Sequence, residues 1–136
     1  MGKVDLEIVT PAGVVTEVEA DIVVAPGIDG EFGVLPGHIN FLSGLVPGEL
    51  HYKNDDKTEY LSVTSGFAEV SNDKVSILVD SAEMAHEIDV ERANSAMERA
   101  KERLAQKRDN DNIDFARAEA ALQRAISRLK VAKKIG

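Results

Sequence analysis

The 136 residues contain no cysteine. A disulfide framework, a thiolate nucleophile and a zinc–sulfur site are therefore excluded, and the chain fits a reducing compartment. No window approaches the ~18 uninterrupted apolar residues of a membrane-spanning helix. The opening MGKVDLEIVT has no apolar core ahead of a cleavage site. It also lacks the Arg- and Ser-rich character of a transit peptide. Gly-Lys-Ser/Thr occurs nowhere, which removes the Walker-type phosphate loop. With no nucleophile–base set and no metal-ligand cluster either, catalysis by the chain itself is disfavoured.

What is present divides the chain in two. Hydrophobic content of 43% and charged content of 29% are those of a globular protein. Residues 1–84 carry 4 Lys/Arg against 15 Asp/Glu, and residues 85–136 carry 12 against 9. The first part is thus at −11 and the second at +3, within a total of −8. An acidic whole argues against a nucleic-acid partner, whose affinity rests on phosphate contacts. The basic tail still calls for something anionic.

Periodicity makes the same division. VDLEIV alternates apolar and acidic residues, as a half-buried strand does. Thr10-Pro11-Ala12-Gly13, Asn54-Asp55-Asp56-Lys57 and Ser71-Asn72-Asp73-Lys74 are turns by composition. Strand-like runs every 8–12 residues predict an antiparallel β-sandwich over residues 1–84. Beyond Ala85 the period becomes 3.6. Asp89 reads as an N-cap and Val90 as the first helical residue, followed by Ala93, Met97, Ala100 and Leu104 on one stripe. DNDN at residues 109–112 breaks the helix. A second carries Phe115, Ala118, Leu122, Ala125, Leu129 and Ala132 at the same spacing. An antiparallel helical hairpin over residues 85–136 follows. Its alanine seam allows close approach but buries little area, so the helices should grip each other and the sandwich weakly.

Four features compete for a functional role. In GIDGEFGVLPGH the glycines lie between strand-like segments, not between a strand and a helix, so no dinucleotide loop is expected. Gly30, Gly33 and Gly37 are expected to supply special backbone angles, with Pro36 fixing one φ. His38 lacks a catalytic partner and is expected to be buried and hydrogen-bonded to backbone, whereas His51 and His86 look solvated. DNDNID (residues 109–114) resembles the start of a calcium loop. Asp114 stands where glycine is needed, however, and Ala120 where glutamate is, so a polar turn is expected. The arginines are more telling. Arg92, Arg99 and Arg103 recur as Arg117, Arg124 and Arg128 with the same spacings of seven and four. At about 100° per residue, each set lies roughly 100–110° from its alanine seam, in the same sense. Antiparallel pairing then places six guanidiniums on one side, opposite Asn94, Glu98, Glu102, Glu119 and Gln123. Such a face suits phosphate or carboxylate.

GEFGVLPGH (residues 30–38), Pro47-Gly48-Glu49-Leu50, Ser65-Gly66-Phe67-Ala68-Glu69-Val70 and Asp80-Ser81-Ala82-Glu83 together resemble the ε subunit of F-type ATP synthases, the homologue of the mitochondrial δ subunit. Ile39-Asn40-Phe41 departs from the small residue or proline usual after the histidine. The resemblance covers the whole chain, and it implies a non-catalytic rotor subunit. Its sandwich would clamp the γ subunit and sit on the ring of c subunits, with Glu31 and His38 as partner-binding residues. Its hairpin would restrain ATP hydrolysis, extending to meet an acidic segment of the β subunit with Arg103 and Arg128 on the contacting face. No cofactor is required. ATP is implied as a regulatory ligand by Ile88-Asp89-Val90-Glu91-Arg92-Ala93, which matches the Ile/Leu-Asp-x-x-Arg-Ala motif of some bacterial relatives. Arg92, Arg99, Arg117 and Arg124 would hold its phosphates, and Glu83, Ile88, Asp89 and Ala93 would line the base end. The location implied is peripheral, on the cytoplasmic face of the bacterial inner membrane, reached only through the complex. A stand-alone ATP-sensing module is the alternative reading.

Overall fold

The structure, a computed structural model, describes residues 2–105 and 112–135. Ten strands come first: β1 (Val4–Thr10), β2 (Gly13–Ala20), β3 (Ile22–Gly27), β4 (Gly30–Val34) and β5 (Phe41–Leu45), then β6 (Gly48–Asn54), β7 (Lys57–Val63), β8 (Gly66–Ser71), β9 (Lys74–Val79) and β10 (Ala82–Met84). A 3₁₀ turn at Ala85–Glu87 leads into α1 (Val90–Ala105), and α2 (Asn112–Ala132) ends in a second 3₁₀ turn at Lys133–Ile135. The predicted sandwich followed by a helical hairpin is therefore what forms. The predicted helix break at residues 109–112 falls largely outside the described residues. No described helix is long and apolar enough to cross a membrane.

The ladder runs β10-β7-β6-β3-β5-β8-β9-β1-β2, with β4 also on β3. Between β3 and β5 it narrows to one pair, Gly27 with Leu45, and there it folds over. Two five-stranded layers result. Alternate residues such as Val4, Leu6, Ile8, Val23, Leu50, Leu61, Val75 and Ile77 fill a single core between them. Every pairing is antiparallel except β1 with β9, which closes the second layer. The predicted turns have chemical causes. Asn72 and Asp73 both adopt left-handed φ values, 51° and 60°, so their two-residue turn matches the twist of β8 and β9. Asp55 at φ 57° serves the β6–β7 turn in the same way.

The stretch of residues 30–38 differs in detail from expectation. Gly30 and Gly37 do have positive φ, 124° and 84°, but Gly33 does not. It is a strand residue paired with Val24, because residues 30–34 form β4. At Gly66 the demand is closer: a Cβ there would lie 1.9 Å from the Leu78 carbonyl oxygen.

In the hairpin the alanine seam holds. Ala93, Ala100, Ala118 and Ala125 are buried, while the outer members of the two stripes, Val90 and Phe115, are half exposed. Asp89 caps α1 as expected, its Oδ1 accepting the Arg92 N–H at 3.1 Å. The hairpin rests on the sandwich chiefly through α2, which lies across β6 and β7. That contact is not made by alanines. Val131 is completely buried in a small cluster with Ala85 and Ile88, against Tyr60 and Ala132. Beside it, the buried hydroxyls of Ser127 and Ser62 meet at 3.3 Å.

Candidate functional site

The heptad repeat of arginines becomes a cavity. Arg99 and Arg103 on α1 and Arg124 and Arg128 on α2 line a well of about 430 Å³ between the two helices and the β7–β10 edge. Its room comes from small side chains, Ala96, Ala100, Ala121 and Ala125. The sandwich side is polar: Ser62 from β7, Thr64 just after it, Ser81, and Glu83 from β10. A shallower depression adjoins it, lined by Arg92, Glu91 and Ser95 and sharing Arg99 and Arg128. Five of the six arginines expected on one face therefore converge. Arg117 lines neither cavity and is exposed. The face is also aimed where the helical wheel could not say, at the edge of the sandwich.

Charge in the well is unbalanced. Glu83 is the one carboxylate among its described lining residues, and it clasps Arg128 in a two-point contact, Nε–Oε1 2.6 Å and Nη2–Oε2 3.2 Å. Among the described residues no carboxylate pairs with Arg92, Arg99, Arg103, Arg117 or Arg124. Two expectations change as a result. Glu83 does not stand free to receive a base, and Arg128 does not stand free for a partner chain, because each holds the other.

The rest of the expected base end is likewise engaged. Ile88 is packed on Val131 and Ala85, and Ala93 is wholly buried in the seam. The Asp89 carboxylate caps α1. In the docked hairpin the phosphate-binding half of the expected site is open, and the base-binding half is filled by the protein's own packing.

His38 and Glu31 sit apart, past the end and at the start of β4. His38 is half-buried; its Nδ1–H donates to the Ile39 carbonyl at 2.7 Å and its ring stands edge-on to Phe41. That is the backbone-bonded histidine expected, though not fully buried. Glu31 is exposed and borders a cleft with Pro47 and Glu49 on one wall and Gln123 and Lys130 of α2 on the other. His51, expected to be solvated, contacts Glu49 at 3.1 Å and packs on Tyr60. Lys134 reaches back to the same pair, 3.7 Å from Glu49 and over the Tyr60 ring. This second clasp escaped sequence reasoning. Its only trace there was the outward alternation of Glu49 and His51 on β6, the strand on which α2 lands.

A separate surface lies on the outer face of the β5-β8-β9-β1-β2 layer. Register places Gly44, Phe67, Leu78, Val9 and Val14 in one row across all five strands. Phe67 and Val14 are each 60% exposed and Leu78 51%. The next rows turn acidic: Glu69, Glu7 and Glu17, then Asp5 and Glu19. An apolar band of this kind on a single chain marks a contact surface.

Comparison with known proteins agrees along the whole length. Residues 3–85 match the family model described as ATP synthase, Delta/Epsilon chain, beta-sandwich domain. Residues 86–133 match ATP synthase, Delta/Epsilon chain, long alpha-helix domain. The ATP synthase epsilon chain of Syntrophobacter fumaroxidans is 54% identical over 132 residues, covering 97% of each chain. That of Nitratidesulfovibrio vulgaris strain DP4 is 54% identical over 126 residues, 93% of this chain and 92% of the other. Among solved structures, a chain of the Euglena gracilis mitochondrial ATP synthase (OSCP/F1/c-ring, rotational state 1) superposes with a TM-score of 0.82 at 25% identity, covering 98% of this chain and 82% of that one. A chain from the central stalk and c-ring of the Tetrahymena thermophila mitochondrial enzyme shares the fold, with a TM-score of 0.58 at 15% identity.

Proposed function

The chain belongs to the ATP synthase delta/epsilon family, and on that premise we propose that its sandwich couples it to the rotor while its mobile hairpin restrains ATP hydrolysis. As an ε chain it is a non-catalytic central-stalk subunit, contributing to ATP synthesis and ion transport through the complex. The finer assignments are ours. The apolar row of Phe67, Leu78 and Val14 is the face for the γ subunit. The turn after β4, with Glu31 and His38 at either end of that strand, faces the c-ring. The β subunit is met by the hairpin. The complex places the chain at the cytoplasmic face of a bacterial inner membrane.

One observation carries the inhibitory reading: the docked hairpin is fastened to the sandwich near the end of α2, through Val131, the Glu83–Arg128 clasp and Lys134, while Arg99, Arg103 and Arg124 stay exposed. Extension of the hairpin carries these exposed arginines away from the sandwich to where an acidic segment of the β subunit meets them. Docking thus keeps the inhibitory surface beside the sandwich, and extension carries it to the β subunit. ATP enters as a ligand of the docked form. Its phosphates fit among Arg92, Arg99 and Arg124, and a ligand that binds one state stabilises it by RT ln(1 + [L]/Kd), about 2.7 kcal/mol at a hundredfold excess over Kd. Abundant ATP then holds the hairpin down, and scarce ATP releases the inhibitor.

The test is truncation after Asp89 in the assembled enzyme. ATP hydrolysis should rise while co-purification with the γ subunit persists. Unchanged hydrolysis sinks the inhibitory half, and loss of the γ subunit sinks the division of labour. A second reading, a stand-alone ATP sensor, is favoured only by the well itself. Titration calorimetry on the free chain, with Arg92→Ala and Arg124→Ala as controls, separates it: no heat at millimolar ATP removes the nucleotide and leaves coupling intact.

A further inference from the structure

The outer face of the β5-β8-β9-β1-β2 layer has a direction. Its apolar row, Gly44, Phe67, Leu78, Val9 and Val14, crosses the strands one residue at a time. Gly44 leaves a gap that Ile28 covers: the Ile28 Cγ2 lies 3.8 Å from where a Cβ of Gly44 would stand, and Ile28 itself is 65% exposed. Neighbouring strands are ~4.8 Å apart, so the row repeats at that step and runs for ~19 Å. Residues three or four apart on a helix rise ~4.5–6 Å, whereas alternate residues of a strand are ~6.8 Å apart. The row therefore fits an α-helix of about 13 residues laid across the strands.

The two margins of the row differ. On one side the strands end: β8 and β2 begin, and β9 and β1 finish, one residue beyond it. On the other side the next two rows hold Glu69, Glu7 and Glu17, then Asp5 and Glu19, against one basic residue, Lys74. Lys74 reaches Glu7 at 3.8 Å and is half exposed. A hollow of about 490 Å³ opens there, walled by Asp5, Glu7, Glu17, Glu19 and Lys74.

We infer that this face recognises an amphipathic helix of the γ subunit, apolar along one stripe and basic along one flank, with a lysine or arginine of that flank entering the acidic hollow. The inference rests on the assignment of the row to the γ subunit, and adds the shape, charge and direction of what lies on it. Rows on one face are ~7 Å apart and a helix is ~10 Å across, so a helix seated on the apolar row sets its flank over the glutamates. Turned end for end, the same helix would carry its basic flank over the strand ends instead. One-sided charge thus fixes which way the helix runs. A second copy of this chain is the poorer occupant, since it would add five more carboxylates and one lysine to the contact. Charges at such a margin act mainly on the rate of encounter and its salt dependence.

Binding of the full-length chain to assembled enzyme depleted of it is followed in real time at about 20 mM and about 200 mM NaCl, where screening lengths differ about threefold. Glu17→Gln with Glu19→Gln should slow association about tenfold at the lower salt and flatten the salt dependence, with a smaller effect on dissociation. Lys74→Glu, which removes the one cation, should speed association severalfold. Glu98→Gln with Glu102→Gln, the same charge change on α1, should leave it unchanged. Shape is read by photo-crosslinkers at Leu78→Cys or Val14→Cys, in a chain with no other thiol. These positions are two strand spacings apart and should mark γ residues about six or seven apart in sequence. Marks about three residues apart identify a strand and overturn the helix. Slower association in Lys74→Glu, or equal effects of the β2 and α1 charge changes, overturns the basic flank. So does a free chain that pairs with itself in sedimentation velocity and loses that pairing in Phe67→Glu. Charge changes without effect, beside a Phe67→Glu that weakens binding, remove this inference alone. Binding that survives Phe67→Glu removes the γ face as well.

Discussion

Replacing Val131 by alanine isolates the docking contact from everything else the hairpin does. Val131 is wholly buried, and its cluster with Ala85 and Ile88 is separate from the sandwich core. Two carbons are lost, worth about 1.6 kcal/mol of transfer at ~0.8 kcal/mol per methylene. The space left behind adds a cavity term of about 0.5–1 kcal/mol, because the β-sheet beneath cannot follow α2 inward. Alanine is the better helix former by about 0.5 kcal/mol, so α2 itself does not melt. The net loss of about 2 kcal/mol moves the docked-to-undocked ratio roughly thirtyfold at 1.4 kcal/mol per decade. The assay pairs a sandwich-to-α1 distance, read by energy transfer between dyes at Asp56→Cys and Lys101→Cys, with thermal unfolding of the sandwich. Undocking with an unchanged sandwich midpoint is expected, together with stronger inhibition of ATP hydrolysis in the assembled enzyme. A hairpin that stays docked, or a sandwich destabilised by the same amount, would refute the claim that this cluster is the anchor.

Three other outcomes follow from individual contacts. Gly66→Ala forces a carbon to within 1.9 Å of the Leu78 carbonyl; β8 and β9 must separate, and the midpoint of the sandwich should fall by ten degrees or more, an order-of-magnitude reading for a loss of several kcal/mol. Phe67→Glu puts charge in the middle of the apolar row and should weaken assembly with the γ subunit at least tenfold in a pull-down titration, an order-of-magnitude estimate for a lost aromatic anchor, while the free chain keeps its midpoint. Asp21 accepts the Asp55 N–H at 2.7 Å and lies 3.4 Å from Lys3, and these contacts, the backbone bond foremost, hold its carboxyl below the ordinary 3.8. Its contribution is complete above that value and lost as pH falls through the lowered one, so Asp21→Asn should lower stability slightly at neutral pH, leave the most acidic end unchanged, and thereby flatten the acid limb of the stability curve.

Most of the fold was legible because its causes are local. Alternation in VDLEIV, the left-handed turns at residues 55 and 72–73, the Asp89 cap and the alanine stripes each follow from near neighbours in sequence. What was hidden depends on contacts between distant residues. The parallel pairing of β1 with β9 joins the two ends of the sandwich. The helical wheel put Arg99, Arg103, Arg124 and Arg128 together, but not their direction, because rotation of the hairpin about its seam is decided where it lands. Val131, Arg128 and Lys134 make that landing, on Ile88, Glu83 and Glu49. The same landing covers part of the expected base end. Ile88 and Ala93 are motif positions in sequence; in the docked hairpin one is covered by Val131 and the other lies in the alanine seam. Gly33 was misjudged for a simpler reason: glycine in a strand and glycine in a turn look alike until the partner strand is known.

The claim that the hairpin must leave the sandwich in order to inhibit can be tested by preventing it from leaving. The Ser62 and Ser127 hydroxyls touch at 3.3 Å, close enough for a Ser62→Cys, Ser127→Cys pair to be bridged with little backbone movement, in a chain that has no other thiol. ATP hydrolysis by the assembled enzyme is then measured with the bridge oxidised and again after reduction. The account predicts uninhibited hydrolysis when the bridge is closed and restored inhibition when it is opened. Equal inhibition in both states would contradict it.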